Sequence, residues 1–166
     1  MGWRDKKIRG TVYSLAHLAG FDMPIVGRDG TLHGIARVSF GLHTFTRDWL
    51  DTDPLDHKMV LGSEVRCFCP ARHQLSLDLP AILLGACGGN AHFCRGRNYL
   101  LVRQVAGAPY AIFFDVEKAR QKGVDVMVFV DSAYTKPNLP KKIPAIGFAK
   151  LLEKTAKGQP VTRPKK

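Results

Sequence analysis

Residues 99–134 read YLLVRQVAGAPYAIFFDVEKARQKGVDVMVFVDSAY, and this stretch decides the fold. It holds three runs of β-forming residues, joined by the tight connection GAP and by the polar turn KARQKG. In the second and third runs every other residue is apolar: Tyr110, Ile112, Phe114 and Val116, then Val124, Val126, Val128 and Val130. Period-two alternation around short turns that contain Gly is typical of hairpins. The stretch therefore predicts a three-stranded antiparallel meander.

A helical pattern precedes the meander in residues 70–86, PARHQLSLDLPAILLGA. Pro70 suits the first position of a helix, whereas Pro80 predicts a kink or a restart, with Ser76 or Asp78 as the cap. The apolar positions recur at helical spacing: Leu75, Leu79, Ile82 and Leu83. We therefore expect an α+β fold, an antiparallel β-sheet meander with one main helix packed on its buried face.

The remaining segments carry weaker patterns. Residues 35–45 predict a strand that bends at Gly41, and residues 8–18 predict a short strand or a helical turn. The acidic segment 48–64 predicts a solvated loop. Residues 143–152 predict either another strand or a short closing helix. A chain of 166 residues corresponds to one domain, and we assign residues 1–152 to it and residues 153–166 to a basic Lys/Pro-rich tail.

The charge is strongly positive and unevenly distributed. The formal net charge is +11 at pH 7, and residues 135–166 hold nine Lys or Arg and a single acid, Glu153. Such a segment favours a polyanion as partner, because each cation near a phosphate releases condensed counterions. The alternative is a tail that only increases solubility. We expect nucleic acid as the partner, RNA rather than DNA, with an acidic protein surface as the other candidate.

Several classes of protein are excluded or disfavoured. No uninterrupted apolar stretch approaches the 18 residues or so of a membrane-spanning helix, and the charged start, MGWRDKKIRG, does not resemble a secretory signal. We expect a cytoplasmic protein with no membrane partner. The chain has no phosphate-binding loop, Ser-His-Asp motif or dinucleotide fingerprint, which disfavours nucleotide-driven enzymes.

The four cysteines lie close together in the sequence, and two histidines are interleaved with them: Cys67, Cys69, His73, Cys87, His92 and Cys94. The set is large enough for zinc, but its spacing does not match the usual ligand pairs. Cys87 follows Leu83 and Leu84 and reads as a small core residue. We expect free or buried thiols, with no metal and no cofactor.

Catalytic residues are expected at strand ends. His43 and Arg47 lie in GLHTFTRDW, and a histidine with a guanidinium suits metal-independent RNA cleavage. The base takes the 2′-hydroxyl proton, and the guanidinium stabilises the charged phosphorane. A lone histidine on a strand also serves structural roles. The prediction assigns catalysis to His43, Arg97 and Tyr134.

Nucleic-acid contacts are expected from two segments besides Arg47. The basic turn 94–99 offers guanidiniums beside a glycine, a hydrogen-bonding amide and an aromatic ring. The segment that follows DSAY begins the basic third of the chain. The predicted contacts are Arg95, Asn98, Tyr99, Lys136, Lys141 and Lys142.

Several phrases of the chain resemble one family of small basic bacterial proteins, found near plasmids and integrated elements and labelled as stationary-phase growth adaptation proteins. The resemblance spans residues 12–150, and its most specific pieces are HTFTR, PARHQLSLDLP and the pair FFDV and FVDSAY. Family members usually have Tyr in place of His73, and often Gly-Asn-Phe in place of Arg97, Asn98 and Tyr99. The resemblance implies a mobile-element or stress context. A looser likeness, at the level of the fold, is to barnase- and colicin-type ribonuclease toxins.

These observations predict a nucleic-acid-binding protein, with metal-independent ribonuclease activity as its candidate chemistry. The alternative is a non-enzymatic inhibitor or adaptor, such as an anti-defence factor, that uses its basic surface to cover a partner protein. Cleavage of RNA in the presence of EDTA distinguishes the two functions.

Overall fold

A seven-stranded sheet forms the centre of the computed structural model, which describes residues 2–96 and 98–165. A two-stranded and a three-stranded sheet, three α-helices and three 3-10 turns complete the described part. The strands are β1 (Lys6–Ile8), β2 (Thr11–Tyr13), β3 (Phe21–Val26), β4 (Leu32–His43), β5 (Thr46–Asp48), β6 (Lys58–Leu61), β7 (Glu64–Phe68), β8 (Asn90–Phe93), β9 (Tyr99–Val105), β10 (Ala108–Lys118), β11 (Val126–Thr135) and β12 (Ala145–Gly147). The helices are α1 (Pro70–Ser76), α2 (Leu79–Leu84) and α3 (Phe148–Ala156).

The predicted meander is confirmed as β9, β10 and β11, each antiparallel to the next. Ala106 and Gly107 join β9 to β10, and both have positive φ, 51° and 78°. Two successive residues with positive φ make the turn whose twist matches that of a hairpin, and glycine adopts this conformation at little cost.

The sheet is nevertheless not a simple antiparallel meander, and this part of the prediction was wrong. The sheet order is β12-β8-β9-β10-β11-β4-β3, and β11 pairs with β4 in parallel. Val128 lies opposite Val38, and Val130 lies opposite Phe40. Alternation shows which face of a strand is buried, but it carries no information about the direction of the neighbouring strand. The parallel pair brings the end of β4 beside the end of β11.

The predicted helix is present as two short helices, α1 and α2, with the break before Pro80 that the sequence indicates. Asp78 occupies the N-cap position of α2 without a side-chain capping bond. The closing helix, one of the two alternatives predicted for residues 143–152, is present as α3. Its Phe148, Leu151 and Leu152 are fully buried, and it contacts β10 and β4. The segment 143–152 thus contains both alternatives, a short strand and the start of a helix.

The predicted acidic loop and the predicted division between domain and tail both differ from the structure. The segment 48–64 contains a 3-10 turn and β6, which pairs with β7. The division between domain and tail at residue 152 lies inside α3. Beyond that helix, Val161 packs against the hydrophobic core. No helix of the described residues is long and apolar enough to cross a membrane.

The two faces of the large sheet differ. The inner face carries the core, with Phe114, Val128 and Val130 fully buried. Alternate residues point to the opposite side, which we call the outer face; it carries Phe113 and Phe129. Phe129 is 42% exposed although β11 is a central strand.

A histidine pair connects the N-terminal segment to α1. His17 Nε2 donates to Ser76 Oγ at 2.8 Å, and Ser76 donates to the carbonyl oxygen of His73. His73 Nε2 donates to the carbonyl oxygen of Ser14 at 2.8 Å. The two imidazole rings lie 5.4 Å apart, edge to face. Burial lowers the pKa of His17, and the neighbouring His73 lowers it further.

We expect the free energy of unfolding to fall as the pH drops below about 6.5, the ordinary pKa of histidine. His17 binds its proton more readily in the unfolded chain, so acid favours unfolding until the folded-state pKa is passed. The contribution is below about 1 kcal/mol because the ring is partly exposed. Urea unfolding at about pH 7.5 and about pH 5.5 measures it. His17→Gln should reduce the acid loss, and an unchanged loss would contradict the assignment.

Candidate functional site

His43 ends β4, and its side chain contacts that of Glu64, the first residue of β7. The imidazole Nε2–H donates to a carboxylate oxygen of Glu64. Their side chains are 33% and 44% exposed, so both remain accessible to solvent. In the neutral imidazole, a proton on Nε2 leaves Nδ1 with its lone pair. The pair therefore has the arrangement of an oriented histidine base.

Arg72, on α1, lies next to this pair. Its Nη1 donates to the carbonyl oxygen of Thr46 at 2.5 Å and lies 3.5 Å from that of His43. Burial lowers the pKa of the half-buried guanidinium. Among residues 2–96 and 98–165, Arg72 makes no ion pair with a carboxylate, and its Nε and Nη2 donate to no protein acceptor. One edge of the guanidinium is thus available to an oxyanion.

Tyr134, near the end of β11, completes the cluster. The Arg72 guanidinium lies 4.9 Å from the centre of the Tyr134 ring, and this ring stacks on Phe113 at 5.5 Å with an interplanar angle of 27°. The parallel pairing of β11 with β4 places Ser132 opposite His43. It thereby brings His43 and Tyr134, two of the three predicted catalytic residues, to the same cluster.

Arg66, on β7, connects Glu64 to β5 through contacts with Asp48 and Thr46. Its Nη1 contacts Asp48 at 2.5 Å, its Nε donates to Thr46 Oγ1 at 3.2 Å, and the same Nε lies 3.9 Å from the Glu64 oxygen that contacts His43. All three guanidinium nitrogens of Arg66 thus donate to acceptors within the protein. We name the group of His43, Glu64, Arg66, Arg72 and Tyr134 the Arg72 cluster.

The cluster combines three groups of kinds that serve in phosphoryl transfer. His43 offers a basic nitrogen, Glu64 orients the imidazole, and Arg72 offers a charged fork to phosphate oxygens. Guanidinium is suited to a partly buried place because it keeps its charge there. The arrangement is able to bind a phosphodiester and accept a proton from a neighbouring hydroxyl.

Arg47, a predicted nucleic-acid contact, does not belong to the Arg72 cluster. It is bound through both terminal nitrogens to Asp53, at 2.5 and 2.8 Å. Arg47 holds the pKa of the Asp53 carboxyl well below its usual range. Its register partner on β7 is Cys67, whereas the next residue, Asp48, lies opposite Arg66. The charge of Arg47 is therefore neutralised within the protein.

The described residues of the basic segment 94–99 lie at the start of β9, whose first residue is Tyr99. Arg97 is outside the described residues, and its predicted role stays a prediction. Arg95 is exposed. Tyr99 is only 8% exposed, because it packs against Phe93 and Phe114, so its ring is not accessible for stacking on a base. Asn98 borders a groove on the outer face.

The three predicted lysine contacts follow β11. Lys136 begins a segment that continues over the sheet to β12, and its backbone N–H donates to the carbonyl oxygen of Pro109 at 2.9 Å. Lys136 is partly buried, whereas Lys141 and Lys142 are exposed. Lys141 borders a small groove with Leu139 and Ile143. The segment begins two residues after Tyr134, so it extends the basic surface from the Arg72 cluster.

The cysteines are free thiols. Burial raises the pKa of both Cys67 and Cys94. No group of three or more His, Cys, Asp or Glu that could hold a metal ion occurs in the part of the chain that the structure describes. His73 is engaged by Ser14, as described above, and His92 Nδ1 donates to the carbonyl oxygen of Ile143 at 3.3 Å.

No local pattern indicates Glu64, Arg66 or Arg72 as residues of the site. Glu64 lies in the acidic segment that predicts a loop, and Arg72 lies in the helical pattern of residues 70–86. Two segments of the site could have been singled out, because PARHQLSLDLP, which contains Arg72, and HTFTR, which contains His43, are among the most specific pieces of the resemblance. Nothing in the sequence indicates that the two segments lie in contact.

A scan against protein-family models gives a match to the YjaZ family over residues 5–156. The chain belongs to the YjaZ family. The match includes every member of the Arg72 cluster, whereas the last ten residues lie beyond it. Searches of curated proteins and of solved structures gave no match. The mobile-element context, the stationary-phase role and the likeness to barnase therefore stay predictions about this YjaZ-family chain.

Arg163, beyond the family match, attaches the C-terminal segment to the basic turn. Its Nη1 donates to the carbonyl oxygen of Cys94, and its Nη2 donates to that of Asn98 at 3.3 Å. The guanidinium also lies 5.5 Å from the ring centre of Phe93 and 5.6 Å from that of Tyr99. The segment is therefore more than a solubilising extension.

Arg163→Ala is expected to lower the free energy of unfolding by about 1–3 kcal/mol, because two charged hydrogen bonds and the ring contacts are lost. Arg163→Lys should recover little, since an ammonium does not reproduce the planar fork. Lys165→Ala removes the same charge and serves as the control. Urea unfolding of the three variants measures these changes in the free energy of unfolding. Equal stability of Arg163→Ala and Lys165→Ala would show that the contacts contribute nothing.

Proposed function

We propose that the protein binds RNA and cleaves it without a metal ion at the Arg72 cluster. The observation that carries the proposal is the open edge of the Arg72 guanidinium beside the oriented His43–Glu64 pair. A half-buried cation without a carboxylate partner favours an anionic ligand. The exposed lysines that follow Tyr134 supply further phosphate contacts.

The proposed reaction is transesterification at phosphorus. His43 Nδ1 accepts the proton of the 2′-hydroxyl, and the 2′-oxygen forms a bond to phosphorus. The bond from phosphorus to the 5′-oxygen breaks, and the imidazolium returns its proton to that oxygen. Arg72 stabilises the negative oxygens of the phosphorane, while Glu64 stabilises the imidazolium. The products are a 2′,3′-cyclic phosphate and a free 5′-hydroxyl.

Binding is tested first, on protein treated with nuclease and repurified. Fluorescence anisotropy with labelled RNA at several salt concentrations should give an affinity that falls with salt, since phosphate contacts release counterions. Lys141→Ala combined with Lys142→Ala should reduce the salt slope by about two phosphate contacts. Absence of RNA binding at low salt would rule the proposal out.

We expect the RNA binding and cleavage to take place in the cytoplasm.

A protein-binding inhibitor or adaptor is the second candidate function. The observation in its favour is the hairpin of β6 and β7, which exposes Val60, Leu61 and Val65 to 60%, 52% and 39%. Exposed apolar side chains in one place are typical of protein interaction sites. A partner that remains bound after nuclease treatment, and that is lost in Val60→Ser, would favour this function over RNA cleavage.

A further inference from the structure

The outer face of the sheet carries an open groove of about 680 Å³. Its floor comes from the central strands β4, β10 and β11, and one side comes from Asn98. Ser39, Asp115 and Phe129 are the lining residues that matter for its chemistry. No element of the described chain covers this part of the sheet, as the exposure of Phe129 shows.

Phe129 forms the aromatic part of the groove. A Cβ atom added to Gly41 would lie 2.9 Å from Phe129 Cζ and 3.0 Å from the carbonyl oxygen of Asp131. The ring therefore extends over the neighbouring strand β4 at Gly41, which has no side chain. This arrangement leaves a ring surface open to solvent, and such a surface is suited to stacking.

The polar side chains of the groove lack partners within the part of the chain that the structure describes. Among residues 2–96 and 98–165, Asp115 forms no ion pair, and the side chains of Ser39 and Asn98 form no hydrogen bond. Burial raises the pKa of Asp115, and the nearby Asp131 raises it further. Glu117 also borders the groove. Among the described residues, the groove lining thus offers a ligand two carboxylates and two neutral polar side chains, and no cation.

We propose that this groove holds an unpaired base of single-stranded RNA, stacked on Phe129, with Asp115 accepting hydrogen bonds from the N–H edge of the base. The inference rests on the proposed RNA binding and names the substrate class. Guanine fits best, because it presents two adjacent N–H donors to one carboxylate. The carboxylates exclude phosphates from the groove itself, so the backbone must run along its rim.

The groove lies close enough to the Arg72 cluster for one RNA strand to place a base in the groove and a phosphate at Arg72. Tyr134 lies five residues beyond Phe129 on the same strand, about 15 Å away at the usual rise of an extended chain. An irregularity in the strand between Val130 and Ser132 shifts the alternation by one residue, so both side chains lie on the outer face. A short single strand therefore reaches from the groove to Arg72, whereas the paired bases of a duplex cannot enter the groove.

The test measures binding of short 2′-O-methyl oligonucleotides, which lack the attacking hydroxyl and so cannot be cleaved. The probes are a mixed single strand of A and G, a strand of U, and the duplex of the first strand. We expect the wild type to bind the A and G strand at least tenfold more tightly than the duplex. Phe129→Ala should weaken single-strand binding about tenfold, and Phe129→Tyr should retain it. Asp115→Asn should reduce the preference for the purine strand over the U strand about tenfold.

The outcomes separate the two proposals. Val12→Ala, at another exposed apolar position, is the control and should bind like the wild type. Single-strand binding by Phe129→Ala within twofold of the wild type, or equal affinity for strand and duplex, would overturn the base site and leave RNA binding intact. Absence of binding to any probe would overturn both. A wild type that dimerises in sedimentation equilibrium while Phe129→Ala stays monomeric would assign the groove to a second copy of the chain, and the base site would be wrong.

Discussion

Replacing His43 by glutamine is expected to lower the rate of RNA cleavage by about 10²–10⁴-fold, the usual contribution of a general base. Glutamine can still donate to Glu64, so the contact is kept while the basic nitrogen is lost. Arg72→Lys should cost about 10²–10³-fold, because the ammonium lacks the fork that holds two phosphate oxygens. The measurement is cleavage of labelled RNA in the presence of EDTA, with the 2′,3′-cyclic phosphate identified among the products.

Two controls make this result interpretable. His33→Gln changes a histidine near the other end of the same strand, where it pairs with Glu153, and should leave cleavage unchanged. Thermal unfolding of each variant shows whether the fold is retained. If the wild type cleaves none of several RNAs, the enzymatic function is wrong and RNA binding stands alone. If His43→Gln still cleaves at the wild-type rate, the base is a different residue.

Phe148→Ala is expected to lower the free energy of unfolding by about 3–5 kcal/mol. Phe148 is the first residue of α3, is fully buried, and meets Phe114 edge to face at 5.6 Å. A typical domain has only about 5–15 kcal/mol of stability, so this single change brings the chain close to unfolding. Urea unfolding of the purified variant gives the value.

Lys150→Ala, on the exposed side of the same helix, is the matched control. Its ion pair with Glu153 is a surface contact, so we expect a change below about 0.5 kcal/mol. A loss for Phe148→Ala as small as that of the control would contradict the burial of α3. The expected difference means that the basic C-terminal third cannot be removed as a separate polyanion-binding tail, because it supplies part of the core.

The local elements were largely predictable. The alternation in YAIFFDV and VDVMVFVD identified two strands and their buried faces, and Pro70 and Pro80 marked the two short helices. These signals depend on the period of apolar residues and on the missing N–H of proline, which are properties of short segments. The position of His43 at a strand end followed from the same reasoning.

The candidate site was predictable only in part. His43 and Tyr134 both lie at the Arg72 cluster, and their catalytic role stays a prediction. The guanidinium beside them belongs to Arg72. The predicted catalytic Arg97 lies outside the described residues, and the predicted contact Arg47 is bound to Asp53. Glu64 had no local signal, because a carboxylate in an acidic segment does not differ from its neighbours. Its contact with His43 depends on how β7 lies against β4 and β5.

By itself, then, the sequence determined the strands of the meander, the break between α1 and α2, and the concentration of positive charge toward the C-terminus. Only the tertiary structure decided that β4 lies parallel to β11, that α3 completes the core, and that Arg72 meets His43 and Tyr134. The physical reason is the range of the interactions. Turn chemistry and apolar periodicity act within a few residues. The pairing of two strands about ninety positions apart depends on the burial of both against a common core, which no local pattern encodes.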